Sequence, residues 1–197
     1  GKRLYIKDVK VEGASQLSES DVASQLALSE RGIISWITGS GILREEYLER
    51  DLAAINAYYL NNGFLDVKVA APKVDYQEDG IVITFAVEEG TRYKVNEVLF
   101  AGDLIEEADK LKEMTKMDDR DESRDYFSLS VMQDDIKALT DFYSNFGYAF
   151  AEITPKPEKR EGEGHIADIT YLIDKKQKVY IRRATIEGNT RTRDNVI

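Results

Sequence analysis

Apolar and polar residues alternate along three separated stretches, 4–13 (LYIKDVKVEG), 93–102 (YKVNEVLFAG) and 179–188 (VYIRRATIEG), and each ends in glycine. Period-two alternation closing on a glycine predicts a half-buried strand that runs into a turn. The glycines stand 89 residues apart (Gly13 to Gly102) and 86 apart (Gly102 to Gly188). Two longer echoes accompany them. Residues 51–67 align without gaps on 135–151 at an offset of 84 (Asp51 to Asp135), and residues 83–102 align on 169–188 at an offset of 86 (Ile83 to Ile169). Three blocks in one order at nearly one spacing mark an internal repeat, which decides architecture before any local motif does.

Within the first repeat, Ser18 is placed as a helix N-cap, with Asp21 in the capping-box position and Leu17 and Val22 as a hydrophobic staple. A glycine- and serine-rich loop follows over 34–41. A second helix then shows an apolar stripe at Leu48, Leu52, Ile55 and Tyr59, reproduced in the second repeat at Met132, Ile136, Leu139 and Tyr143. Gly63 and Gly147 suit the left-handed position that ends each helix. Strands are expected over 64–71 and 81–88, joined by a turn at Glu78-Asp79-Gly80. Their counterparts are 148–154 and 166–174, joined by a loop over 161–164. The order is β-α-α-β-β, twice. The fold class is therefore α+β: tandem units, each a three-stranded mixed sheet with two helices packed on one face. Unit one covers 1–90, unit two covers 91–177, and 178–197 opens a further unit with its first strand. No Pro- or Gly-rich linker separates them, so neighbouring units are expected to touch in a semi-rigid rod.

Composition then removes whole classes of function. Among 197 residues there is no cysteine and one histidine, His165, which excludes cysteine-ligated metals, thiolate nucleophiles and multi-histidine sites within the chain. The formal net charge is −10, unfavourable for binding phosphate backbones, so no nucleic-acid partner is expected. No apolar run approaches the ~20 residues of a membrane-spanning helix. No basic segment with an apolar core opens the chain, so an export signal is expected outside it.

Candidate chemistry is thin. From Asp119 the chain imitates a calcium loop (D-x-D-x-S-x-D), but Arg124 stands where glycine is needed and Ser130 where a bidentate glutamate is needed. Gly39-Ser40-Gly41 has no following lysine–serine and is no phosphate cradle. His165 reads as a turn residue. Trp36, between Ile34 and Ile37, is either a plug packed on the helices or a partner contact on an exposed loop. No catalytic, cofactor-binding or metal-ligating set emerges, and the reading is a non-enzymatic binding and spacing device without cofactors.

The repeat order, with Ser35–Gly41 (SWITGSG), Tyr58-Tyr59-Leu60-Asn61-Asn62-Gly63-Phe64-Leu65-Asp66, Met132-Gln133-Asp134-Asp135-Ile136 and residues 186–197, resembles polypeptide-transport-associated (POTRA) domains. Such domains form the periplasmic arm of outer-membrane protein assembly factors of the BamA type. The first unit looks like the third domain of such an arm, the second like the fourth, and 178–197 like the opening of the fifth. The resemblance implies a periplasmic location beside the parent protein's own C-terminal barrel, with unfolded outer-membrane β-barrel proteins and accessory assembly lipoproteins as partners. It also implies that the third strand of each unit is central, leaving the second at an edge. An edge offers unpaired backbone groups to an extended chain of almost any sequence. In unit one the expected peptide-binding edge strand is Leu65, Asp66, Val67, Lys68, Val69 and Ala70, halted by Pro72. In unit two Pro155 and Pro157 blunt the equivalent edge. Two alternatives stay open: the arm of a two-partner secretion transporter that recognises one exported passenger, and a rigid spacer that binds no client.

Overall fold

The computed structural model describes residues 5–29, 44–118, 125–160, 162 and 164–180. Trp36, Gly39-Ser40-Gly41, the calcium-like loop at 119–124 and the strand expected at 181–188 lie outside them.

Unit one builds one sheet from β1 (Ile6–Glu12), β2 (Lys68–Val69), β3 (Lys73–Gln77) and β4 (Gly80–Glu88). The central strand is β4: β1 pairs with it in parallel, and β2 and β3 pair antiparallel along its other side. Unit two repeats the plan with β5 (Lys94–Gly102), β6 (Glu152–Lys159) and β7 (Ile166–Asp174), in the order β5-β7-β6. Alternation in the central strands sends Ile81, Ile83, Phe85 and Val87, and in unit two Ala167, Ile169, Tyr171 and Ile173, into the two cores.

The helices α1 (Glu19–Ala23) and α2 (Glu45–Asn61) belong to unit one, and α3 (Ala108–Lys112) and α4 (Leu129–Asn145) to unit two. In α2 the predicted stripe buries Ile55 and Tyr59 fully, while Leu48 and Leu52 pack half-buried on the same core. In α4 Met132, Leu139 and Tyr143 are buried and Ile136 is half-buried. Ser18 does occupy the N-cap of α1, but its side chain makes no capping bond there. Its hydroxyl is shared with Ser20 instead (2.6 Å).

Two strand assignments need correction. The six-residue edge over Leu65, Asp66, Val67, Lys68, Val69 and Ala70 forms a ladder only from Lys68 onward. After Gly63 (φ 92°) the buried Phe64 is drawn into the core, where its N–H donates to the Tyr59 carbonyl (3.1 Å). The turn that follows consumes Leu65–Val67. Pro72 does not halt the edge either. Lys68 and Val69 face Glu88 and Val87, whereas Lys73 faces Thr84, so the register shifts by one residue between them. Ala71 and Pro72 form a bulge, and pairing resumes to Gln77. In unit two the edge begins later than expected, at Glu152, and runs unbroken through Pro155 and Pro157 to Lys159.

Candidate functional site

Strand register decides which backbone groups of each edge are free. In an antiparallel ladder alternate residues turn both N–H and C=O toward the partner, and the rest turn them away. Ala70 donates to the Ala86 carbonyl (2.9 Å), which assigns Ala70 and Lys68 to the inward set. Past the bulge the same side of β4 meets Lys73, Asp75 and Gln77. The outward set is therefore Val69, Val74 and Tyr76. In unit two Arg160 donates to Ile166 (3.0 Å), so the inward set is Glu152, Thr154, Lys156 and Glu158. The outward positions there are Ile153, Pro155, Pro157 and Lys159. Both prolines thus place a nitrogen without hydrogen on the open side, which removes two of four donors.

Side chains add to the contrast. Along the unit-one edge Val69 and Val74 pack half-buried on the core, and Tyr76 stands 52% exposed beyond them. Lys68, Lys73, Asp75 and Gln77 are exposed. An extended chain laid here meets an apolar side and a charged side. Among the described residues no strand pairs with the outer side of β2 and β3 or of β6. The opposite edges are less regular: β1 breaks register between Ile6 and Asp8, and the start of β5 is bonded by the 125–127 segment through Val95 to Asp125 and Phe127 to Tyr93.

Of the residues expected at the edge, Lys68, Val69 and Ala70 lie on it. Leu65 and Asp66 instead belong to the junction between units: Leu65 packs against the core of unit two, and Asp66 accepts from the Tyr93 hydroxyl (3.3 Å) and from Lys159. Arg92 donates to the Asn62 carbonyl (2.6 Å) and lies over the Tyr126 ring, 3.6 Å from its centroid. Asn61, the last residue of α2, accepts from the Ser130 N–H (2.8 Å) at the start of α4. The bond satisfies one of the orphan donors of that helix terminus.

Four carboxylates are buried among the described residues: Asp168 accepts from the Asn96 side chain (2.8 Å) and from Arg160, and the other three fasten backbone. Asp51 accepts from Ala27 and Leu28 N–H (3.1 and 2.9 Å), and Asp135 accepts from Lys116 and Met117 N–H (2.6 and 3.0 Å) and from the Tyr171 hydroxyl (2.9 Å). Burial pushes the Asp135 carboxyl above its ordinary pKa, against the opposing pull of those N–H groups and of Tyr171. Burial, then the Asp135 charge, raises that of Tyr171 in turn. Glu89 receives the Ser15 N–H and hydroxyl (2.9 and 2.7 Å), the Gln16 N–H (2.9 Å), the Leu17 N–H (3.3 Å) and the Tyr59 hydroxyl (3.0 Å). Burial disfavours its charge, yet the Ser15 hydroxyl and the three N–H groups outweigh burial and hold its pKa at about 2. Asp51 and Asp135 open the gapless 17-residue echo, which was the available signal for those two. Asp51, Asp135 and Glu89 are all spent on fastening backbone. Among the described residues no group of three or more His, Cys, Asp or Glu side chains is placed to hold a metal ion, and no helix is long and apolar enough to cross a membrane.

Two successive sheets, each with its last strand central and helices on one face, define a tandem-repeat class of protein. The POTRA family, described as "Surface antigen variable number repeat", matches residues 4–90 and 93–176, and the chain belongs to it. The chain is 55% identical, over its whole length, to the outer membrane protein assembly factor BamA of Nitratidesulfovibrio vulgaris, of which it covers 25%. It is 28% identical to BamA of Neisseria meningitidis, again over its whole length and 24% of that protein. The chain thus spans about a quarter of these relatives. The crystal structure of POTRA3-5 of BamA from Haemophilus influenzae shares its fold, with TM-score 0.73 at 21% identity over 98% of this chain and 74% of that one.

Proposed function

We propose that this chain is a periplasmic client-receiving arm of an outer-membrane assembly factor and that unit one takes unfolded barrel strands by adding them to the edge formed by β2 and β3. Unit two serves as the spacer that carries accessory lipoproteins and the membrane barrel at a set distance, and neither unit performs chemistry of its own. The observation that carries the reading is the donor pattern: Val69, Val74 and Tyr76 all turn N–H groups to the open side, whereas Pro155 and Pro157 remove donors from the equivalent edge. Backbone pairing tolerates many sequences, which suits a receiver of diverse clients. The alternation of half-buried Val74 and half-exposed Tyr76 with Lys73, Asp75 and Gln77 matches the alternation of barrel strands. Similarity to proteins named as assembly factors supports the client class.

Titrating a barrel-strand peptide into the chain by calorimetry tests this with two prolines. Tyr76→Pro removes an outward donor without breaking a rung to β4, and is expected to abolish binding while leaving the fold intact. Pro155→Ala restores a donor in unit two and is expected to add a second, weaker site. Full affinity in Tyr76→Pro would reject strand addition at this edge, and absence of any binding would favour the pure spacer.

A further inference from the structure

A cavity of about 260 Å³ lies where the two units meet. Unit one lines it with Asn61, at the end of α2, and unit two with Arg92, Lys116, Met117, Tyr126 and Val131. Acidic residues outnumber basic ones by ten in the whole chain (37 against 27), yet none of the lining residues is acidic. The cavity is a cationic spot in an acidic protein.

Arg92 is what the junction leaves unfinished. Its guanidinium stacks on the Tyr126 ring, 3.6 Å from the centroid, and Nε donates to the Asn62 carbonyl (2.6 Å). Among the described residues no carboxylate pairs with Arg92, and no acceptor meets its Nη groups. Stacking uses the face of a guanidinium and leaves its edge free, and the Nη1/Nη2 fork on that edge matches a planar two-oxygen acceptor. Asn61 is left in a similar state. Its Oδ1 already accepts the Ser130 N–H (2.8 Å) and the Ser128 hydroxyl (3.3 Å), so Nδ2 remains as a donor. Lys116 adds a further donor at the rim, 3.6 Å from Asp134. The α4 terminus itself adds little, because the Ser130 N–H is taken by Asn61 and the Val131 N–H by the Ser128 hydroxyl (3.5 Å). The open groups of Arg92, Asn61 and Lys116 are all donors, so an anionic acceptor completes them.

Size and lining narrow the class of that acceptor. Met117, Val131 and the Tyr126 ring make part of the wall apolar. A cavity of ~150 Å³ already holds a benzene ring, so this one has room for a ring or short alkyl chain with a carboxylate attached. A single negative charge suits it better than the two of a phosphate. Only Arg92 lacks a counter-charge here, and the field of a chain with net charge −10 opposes further anionic charge.

We propose that this cavity binds an organic carboxylate, with the Arg92 fork on its two oxygens and Met117, Val131 and Tyr126 around its apolar body. The bound acid touches both units and holds them at one angle. None of these residues belongs to β2 or β3, so the site is separate from the strand-accepting edge.

Titrating 3-phenylpropanoate into the 197-residue chain at constant ionic strength, with side-chain and methyl resonances as the readout, tests this. Expected are saturable shifts at the Arg92 Nε–H, the Asn61 amide and the Met117 and Val131 methyls, with Val69, Val74 and Tyr76 unmoved. The neutral 3-phenylpropanamide and inorganic phosphate should not saturate these signals. Arg92→Gln should weaken binding about tenfold, the weight of one charge-assisted hydrogen bond. Val131→Phe, which fills the cavity and leaves Arg92 in place, should abolish binding. An equal response to the amide, or unchanged affinity in either variant, would overturn the proposal. So would binding that appears only after Asp119→Asn, Asp121→Asn and Glu122→Gln, since the chain's own acids would then be the occupants. Spin-label distances across the junction should narrow when the acid is bound, and an unchanged distribution would contradict the bridging. A short peptide with one glutamate then separates the sources of the carboxylate: displacement of the free acid assigns the site to an extended chain, and failure to displace it assigns the site to small acids.

Discussion

At the end of its central strand unit one carries Glu89, and unit two, 86 positions on, carries Lys175. That single exchange redirects a set of hydrogen bonds. In unit one Glu89 gathers the turn at Ser15–Leu17 and the Tyr59 hydroxyl. In unit two Lys175 lies over the Tyr148 ring, and the Tyr143 hydroxyl donates to the Asp103 carbonyl instead (3.0 Å). A reciprocal exchange sits on the central strand itself. Tyr171 of unit two bonds Asp135, whereas its counterpart Phe85 offers Asp51 nothing, and Arg50 approaches Asp51 at 3.9 Å. One backbone plan therefore tolerates two polar wirings, because the requirement is only that each buried backbone donor find an acceptor. The edges diverge by the same freedom: their donors do not hold the fold, so one unit keeps them and the other discards two.

The largest expected effect breaks either unit alone. Ile55→Ala and Leu139→Ala each empty a fully buried site and should cost about 2–5 kcal/mol, read as early opening of the mutated unit in amide exchange during urea unfolding. If Leu139→Ala opened unit one equally, the units would not be separate cores. Next comes Tyr171→Phe, which gives unit two the residue of unit one. Removing a buried hydroxyl from Asp135 should destabilise unit two by ~1–3 kcal/mol, and a neutral result would show that the two backbone N–H bonds suffice.

Acid should separate the units by sign. Glu89 is held below its ordinary value of 4.5, so its contribution is present above that pH and is lost as pH falls toward about 2. Asp135 is held above its ordinary 3.8, so its contribution is present below that pH and is lost as pH rises through the folded value. Glu89→Gln should flatten the acid loss in unit one, and Asp135→Asn should remove the acid gain in unit two. Unit-resolved exchange across this range checks both signs, and parallel slopes in the two units would refute them. Smallest is Lys159→Ala, which removes an exposed partner of Asp66. It should change stability by no more than about 1 kcal/mol, while widening the distance distribution between the units.

Much of this was legible beforehand. The spaced glycines, the gapless echoes and the two helix stripes specified the element order, because burial periodicity is written in residue types; the central place of each unit's last strand came only from the resemblance. Leu52 and Ile136 continue the stripe in sequence yet pack only half-buried, at its margin. The start of the unit-one edge could not be read. Whether Leu65–Val67 extends the strand or turns depends on how deeply Phe64 is pulled into the core, a tertiary matter. Pro72 signals an end by local rules, and only the partner strand shows that it occupies a bulge. Asp51 and Asp135 look like solvated helix charges until the segments whose N–H groups they accept are folded over them. Glu89 directly follows the central strand, and only the fold brings the Ser15, Gln16 and Leu17 N–H groups to it.

The central claim is that two units of one fold differ in whether their edge can accept a strand. Amide exchange with and without an extended barrel-strand peptide tests it most directly. The account predicts selective slowing at Val69, Val74 and Tyr76, with Ile153 and Lys159 unchanged; equal slowing in both units, or none in either, would contradict it.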